Sequence, residues 1–207
     1  MNNQQAYNQW ALTYNEVANK TRDVELKAKK DVLRDIHYST VLELGCGTGK
    51  NTEWLLQKAA AITAVDFSES MMAKAKERVN NNKVDFIQAD INEEWSFVKQ
   101  PADLVTCSLV LEHIEHLNPV FEKAFAALNK GGHFYIGELH PFKQYAGSKA
   151  RFDKEQETLV LDCYTHHTSE FTSLAAANGF SLINLNEWFD NDNKQLPRIL
   201  TLLFRKN

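Results

Sequence analysis

The 207-residue chain is predicted to be an α/β protein built on a mainly parallel sheet. Three observations predict it. Apolar runs of strand length alternate with stretches of helical period from Val41 to Phe204. Residues Val41 to Lys50, VLELGCGTGK, read as a buried strand, a glycine loop and a helix start. The length suits one domain with a full core.

The elements follow in order. Val41–Leu44 is the first strand, and a helix is expected near Asn51–Ala59. Ala61–Val65 is a second strand ending in Asp66, with a helix near Glu69–Asn80 that runs into an asparagine loop. Val84–Ala89 ends in Asp90, and Asp103–Ser108 is the next apolar strand. Pro119 suits an early helical position, and Val120, Phe121, Ala124, Phe125, Ala127 and Leu128 recur with helical period. Lys130-Gly131-Gly132 is the expected stop of that helix, with a fifth strand over His133–Glu138. A further helix covers about Ser169–Asn178 and ends at Gly179. Phe180–Leu185 and Arg198–Phe204 are the last strands, joined by a polar loop with Pro197. Between the fifth strand and that last helix, His140–Phe152 shows neither helix nor strand period.

The glycine loop carries the most chemistry. Gly45, Gly47 and Gly49 let the main chain approach a ligand closely, and the helix start offers free backbone N–H groups. The spacing Gly-x-Gly-x-Gly departs from the dinucleotide pattern Gly-x-Gly-x-x-Gly, and no Gly-Lys-Ser/Thr marks a P-loop. Glu43, two residues before Gly45, is a poor neighbour for a pyrophosphate and a good one for an ammonium group. Asp66 ends the second strand, where a carboxylate accepts from both hydroxyls of a ribose.

Glu43-Leu44-Gly45-Cys46-Gly47-Thr48-Gly49 resembles the first motif of the class I S-adenosylmethionine (SAM) methyltransferases. Asp66-Phe67-Ser68-Glu69-Ser70-Met71-Met72 resembles their second. Val84–Ile91, Asp103–Ile114 and Ala126–Ile136 resemble the family's later segments, so the likeness spans roughly residues 41–138. It is strongest to the small soluble methyltransferases of the ubiquinone/menaquinone and "type 11" kind. Tyr7-Asn8-Gln9-Trp10-Ala11 and Tyr14-Asn15 resemble that group's leading cap helix. The resemblance implies a Rossmann-like, seven-stranded, mostly parallel sheet with helices on both faces and an antiparallel last strand. It implies cap helices over 1–36, a cofactor core over 37–138, a substrate lid over 139–168, and a helix with a strand pair over 169–207.

For the cofactor SAM and its product S-adenosylhomocysteine, the resemblance implies a set of contacts. Glu43 orders the loop and the ammonium end, directly or through water, while Gly45, Cys46, Gly47 and Gly49 shape the loop. Asp66 holds the ribose, with Phe67 and Met71 beside it. Asp90 and Ile91 hold the adenine, and Ser108 lies beneath the methyl donor. Tyr14 covers the methionine end, and Arg22 is a candidate for its carboxylate. Trp10 and Tyr14, four apart on a helix, equally suit plain packing.

Methyl transfer from a sulfonium is mainly a positioning task. A carboxylate acceptor needs no base, whereas a hydroxyl or protonated amine must lose a proton, commonly to histidine. His113 and His140 follow the fourth and fifth strands, at the edge where open α/β sheets bind ligands. Each is a candidate base, or a residue that only shapes the pocket. In the lid, Arg151 and Lys149 suit an anionic group on a small-molecule acceptor, His140, Gln144 and Tyr145 suit orienting it, and His166 suits closing the same pocket.

Composition narrows the alternatives. A formal charge of -4 and a pI near 6.0 leave no electrostatic footprint for nucleic acid. Lys27, Lys29 and Lys30 are offset by Asp23, Glu25 and Asp31 and read as a solvated helix face. No apolar run reaches membrane-span length, and the first ten residues lack the features of a signal peptide. Three cysteines, Cys46, Cys107 and Cys163, show no metal-like spacing and fit a reducing, cytoplasmic setting. His113 and His116, with Glu112 and Glu115 between and beside them, have a possible ligand spacing but no compact partners, so no metal is expected. Thr106-Cys107-Ser108-Leu109 stands where base-methylating enzymes carry Asn/Asp-Pro-Pro-aromatic, which disfavours a large nucleic acid. The competing readings are a SAM-binding regulatory subunit without turnover, a tRNA or protein methyltransferase, and an NAD-dependent oxidoreductase, the last opposed by the glycine spacing and Glu43. A monomer or homodimer is expected.

Overall fold

A computed structural model describes residues 2–154, 157–191 and 194–207. Seven strands form one sheet: β1 (Thr40–Leu44), β2 (Ala61–Asp66), β3 (Val84–Gln88), β4 (Ala102–Ser108), β5 (Leu128–Leu139), β8 (Phe180–Trp188) and β9 (Ile199–Lys206). Their order is β3-β2-β1-β4-β5-β9-β8. The first five run parallel, while β9 is antiparallel to both β5 and β8. The expected mixed sheet is therefore present, with the last strand inserted between β5 and the edge. Its sequence explains the insertion. ILTLLF in β9 is buried throughout, whereas β8 alternates in exposure as an edge strand does.

Period-two alternation splits the core between two faces. Val105, Phe134, Leu202 and Phe204 face one side, with Phe121 of α5 (Asn118–Ala126) and Phe171 of α7 (Thr168–Ala177). Leu104, Tyr135 and Leu203 face the other, with Leu33, which caps α2 (Lys20–Val32), Leu55 of α3 (Lys50–Leu55) and Met72 of α4 (Glu69–Arg78). A third, smaller cluster seats α1 (Asn3–Trp10) through Ala6 and Trp10 against Met71 and Leu161. No helix among the described residues is long and apolar enough to cross a membrane.

Three expectations need correction. Helix α5 stops at Ala126, not at Lys130-Gly131-Gly132, because the Ala127 carbonyl accepts from Ala102 N at 2.8 Å and draws Leu128 onto β4. The glycine pair then lies inside β5, where Gly131 takes a φ of +78°. Lys29 is not on a solvated face. It is fully buried, 3.5 Å from Glu25, while Lys27 and Lys30 are exposed. The segment after β5 is also more regular than its sequence suggests. It holds the short helix α6 (Pro141–Tyr145) and a hairpin of β6 (Arg151–Lys154) and β7 (Glu157–Val160). A single helical turn and two four-residue strands are too short to display a period. Residues 155 and 156 of the expected lid lie outside the described residues.

Phe134 is fully buried, with its ring centroid 5.5 Å from that of Phe121 and 5.9 Å from that of Phe180. Phe134→Ala should cost about 3–5 kcal/mol of unfolding free energy in urea titration. A loss below about 1 kcal/mol would contradict this packing.

Candidate functional site

The strand order reverses between β1 and β4, which places a crevice at their carboxyl ends. Two loops build it. The loop after β1 turns at Gly45, whose φ is +68° and where a Cβ would lie 2.2 Å from Val110 Cγ2. Only a residue without a side chain fits there. Gly47 also has a positive φ, and a Cβ on it would meet nothing within 4 Å, so its backbone borders open space. The Gly47 N–H donates to Asp66 Oδ2 at 2.8 Å, and the Ser68 N–H donates to Asp66 Oδ1 at 2.8 Å. Burial raises the Asp66 carboxyl from its ordinary range to about 6, and these backbone donors oppose the rise. Each oxygen keeps a further lone pair for a ligand hydroxyl.

The second loop follows β4. Leu109 has a φ of +55°, a conformation that costs a branched side chain about 1–2 kcal/mol. Its N–H donates to the Gly137 carbonyl at 2.8 Å. Glu138 Oε1 accepts from Val110 N at 3.0 Å and from Leu111 N at 2.9 Å. Burial pushes the Glu138 carboxyl up to about 8, with Glu112 adding to the rise. The buried carboxyl thus pins a strained turn to β5.

Between the loops lies a cavity of about 600 Å³. It is lined by most of the residues expected to hold a cofactor: Tyr14, Arg22, Gly45, Cys46, Gly47, Asp66, Phe67, Met71, Asp90, Ile91 and Ser108. Asp90 Oδ1 accepts from Asn92 N at 2.8 Å, and Lys123 Nζ donates to the Ile91 carbonyl at 2.6 Å, so the loop after β3 is held from both sides. The Arg22 guanidinium lies 4.1 Å from the Tyr14 ring centroid and donates to the Val17 carbonyl at 2.7 Å. Ser108 Oγ is buried without a hydrogen-bond partner among the described residues. The cavity therefore offers a carboxylate with spare lone pairs and an open glycine backbone.

Two expected cofactor residues stand behind the lining. Glu43 is buried at the back of the loop, where Oε2 accepts from Thr52 Oγ1 at 2.6 Å, and burial raises its carboxyl to about 7. It braces α3 against β1 and does not reach the cavity directly. Gly49 caps α3, and a Cβ there would lie 3.1 Å from Ala75 Cα, so it permits close packing of α3 on α4.

The candidate acceptor residues divide. His113 lines the cavity, with Nε2 2.9 Å from the Tyr7 hydroxyl and Nδ1 2.9 Å from the Asp162 carbonyl. His140 does not line it. Its ring is buried, receives the Phe142 N–H on Nδ1 at 3.2 Å as the cap of α6, and meets Glu187 Oε1 through Nε2 at 2.9 Å. His166 is likewise withdrawn, with Nε2 2.7 Å from the Ile114 carbonyl and Nδ1 3.1 Å from Glu170. Gln144, Tyr145 and Arg151 are also outside the lining. The α6 turn carries Tyr145 outward, where its hydroxyl meets His167 Nδ1 at 2.6 Å, and Arg151 is exposed at the start of the hairpin. Among the described residues, no group of three His, Cys, Asp or Glu side chains is placed to hold a metal ion.

Sequence reasoning missed Glu25, Tyr7 and Asn92 in the lining. Glu25 had a signal, since it lies three residues from Arg22 and so on the same helix face. The left-handed Leu109 had none.

Residues 41–132 match a family described as a methyltransferase domain. A malonyl-[acyl-carrier protein] O-methyltransferase of Priestia megaterium is 34% identical over 119 residues, covering 53% of this chain and 43% of the relative. A ubiquinone biosynthesis O-methyltransferase of Coxiella burnetii is 28% identical over 162 residues, covering 70% and 64%. The chain spans about half the length of the curated relatives it matches. Among solved structures, a DhpI complex with S-adenosylhomocysteine aligns with a TM-score of 0.78 at 22% identity, covering 98% of this chain and 94% of the other. A Listeria monocytogenes protein described as an S-adenosylmethionine-dependent methyltransferase aligns at 0.76 with 20% identity, covering 90% and 99%. These two likenesses establish a shared fold.

The buried Glu138 makes stability depend on pH. Its folded carboxyl titrates near 8 against an ordinary 4.5. The stabilisation is full below about 4.5 and is lost as pH rises through 8, at up to about 1.4 kcal/mol per pH unit. Glu138→Gln keeps the acceptor for Val110 and Leu111 but cannot ionise. In urea titrations at pH 5 and pH 8, the variant should lose less stability between the two than the parent, with the remaining slope owed to the other buried carboxyls that burial raises, Glu43, Asp66 and Glu112. An equal slope would contradict the assignment.

Proposed function

We propose that this chain, whose residues 41–132 match a family described as a methyltransferase domain, is a class I SAM-dependent methyltransferase that transfers a methyl group from SAM to a small-molecule acceptor. The observation that carries this reading is the Asp66 carboxylate, tied to Gly47 and Ser68 and still able to accept from a ribose diol inside the cavity. When bound, SAM supplies an electrophilic methyl on a positively charged sulfur. The rest of the task falls to the chain, which must hold, orient and enclose.

The roles follow from position. Asp66 takes the ribose hydroxyls, and Asp90 with the backbone of Ile91 takes the adenine. The open backbone at Gly47 accommodates the amino-acid end. Glu25, buried in the lining and paired with Lys29 at 3.5 Å, offers a carboxylate to the ammonium group. Glu43 acts through the loop it braces. Tyr14 and Arg22 close the methionine side, and Ser108 lies under the donor. The cap of α1 shields the cavity, with Gln4 donating to the Phe67 carbonyl at 2.7 Å and Ser68 Oγ donating to Asn8 at 2.7 Å. Both curated relatives named above are O-methyltransferases, which favours oxygen as the acceptor atom.

Calorimetric titration with S-adenosylhomocysteine tests the assignment. Asp66→Ala should weaken binding by about 1.5–3 kcal/mol, the worth of hydrogen bonds to a charged group. Unchanged affinity in a folded variant would remove Asp66 from the site.

A further inference from the structure

Tyr7 and His113 meet inside the cavity in a defined direction. Two groups face His113 Nδ1: the Asp162 carbonyl at 2.9 Å, which can only accept, and Asn3 Nδ2 at 3.3 Å, which can only donate and lies closer to that carbonyl, at 3.0 Å. The shorter contact assigns the ring hydrogen to Nδ1. Nε2 then presents a lone pair, and the Tyr7 hydroxyl 2.9 Å away donates to it. Asn3 fixes the carbonyl in place: its Nδ2 donates to Asp162 O at 3.0 Å, and its Oδ1 accepts from Asp162 N at 3.0 Å. The Tyr7 ring is held by Trp10 at 5.7 Å and Phe67 at 5.9 Å between centroids. Burial keeps the Tyr7 phenol well above its ordinary range, with Tyr14, Glu112, Cys163 and Asp66 acting in the same sense, so it retains its proton. His113 and Asn92 also line a second cavity of about 400 Å³, so the imidazole stands in the wall between two spaces.

We propose that Tyr7 and His113 form a proton relay for the methyl acceptor, which is therefore a proton-bearing hydroxyl or ammonium group and not a carboxylate. The relay rests on the methyltransferase reading above. As the acceptor's lone pair forms its bond to the methyl carbon, the carbon–sulfur bond of the sulfonium donor breaks and its electron pair stays on sulfur. The acceptor's proton passes to the Tyr7 oxygen, and the Tyr7 proton passes to His113 Nε2. The resulting imidazolium returns one proton to water, which restores the pair. Tyr7 is the catalytic residue here. His113 is a positioning residue that gives the phenol its direction and takes its proton.

Imidazole ¹⁵N spectra of the unliganded protein test the pair without turnover. The neutral His113 ring should carry its hydrogen on Nδ1, and the Nε2 signal should move in Tyr7→Phe. An Nε2–H ring would overturn the relay. The acceptor class is read by incubating the protein with deproteinised cell extract, which keeps the small molecules and removes other methyltransferases, and tritiated-methyl SAM. Label should resist mild alkali, as in ethers and N-methyl products. Label released as volatile methanol marks a methyl ester, which overturns the relay and leaves the methyltransferase reading standing. Binding of S-adenosylhomocysteine with no labelled product overturns both. With the labelled acceptor in hand, Tyr7→Phe and His113→Asn, which keeps a donor for the Asp162 carbonyl, should each lower kcat about 10²–10⁴-fold. Unchanged kcat in either variant would overturn the relay.

Discussion

The site depends on one carboxylate. Asp66 ends β2 and accepts from the loops after β1 and after itself, so one side chain ties together the two loops on this side of the cavity. The sheet makes this possible. Leu44 pairs with Val65 in register, which brings the glycine loop beside Asp66. Hydrogen bonds to an ionised acceptor are about twice as strong as neutral ones. The same burial that raises the Asp66 carboxyl to about 6 also strengthens those bonds, because the local dielectric is low. A ribose diol would add donors to a group that is held in place but not saturated.

The opposite wall is organised by a second carboxyl, in a different state. Glu138 is pushed up to about 8 and so carries a proton near neutral pH, yet it still accepts from Val110 and Leu111. It holds Leu109 in a strained turn, and that turn presents Val110 to Gly45 and His113 to Tyr7. The roof is α1, a short helix with little burial of its own. It is fastened by polar contacts from Asn3, Gln4, Tyr7 and Asn8 to three separate segments, at Asp162, at Phe67-Ser68 and at His113. Such a roof can be released without unfolding the sheet, because the bonds it breaks are exchangeable with water.

The glycines and carboxylates at the cavity were legible in the sequence because their positions are dictated by local backbone geometry. Gly45, Gly47, Asp66 and Asp90 each sit at a strand end, and strand ends are marked by a change of hydrophobic pattern. The acceptor side was not legible in the same way. His140, His166, Tyr145 and Arg151 are polar residues in a stretch without period, and their direction is set by α6 and a hairpin of charged, four-residue strands. Each histidine there found a local acceptor and turned from the cavity. Lys29 failed for a related reason: composition cannot tell a solvated lysine from one buried against a carboxylate, and only the packing of α2 on Tyr135 decides it. Helix α5 ended early because of a backbone bond to Ala102, a residue remote in sequence.

A crystal structure of the complex with S-adenosylhomocysteine tests the central claim most directly. The account predicts the ribose hydroxyls within hydrogen-bonding distance of the two Asp66 oxygens, with Gly47 N and Ser68 N still donating to the same carboxylate. A ligand seated elsewhere, or an Asp66 side chain turned from the ribose with the loop bonds broken, would contradict it.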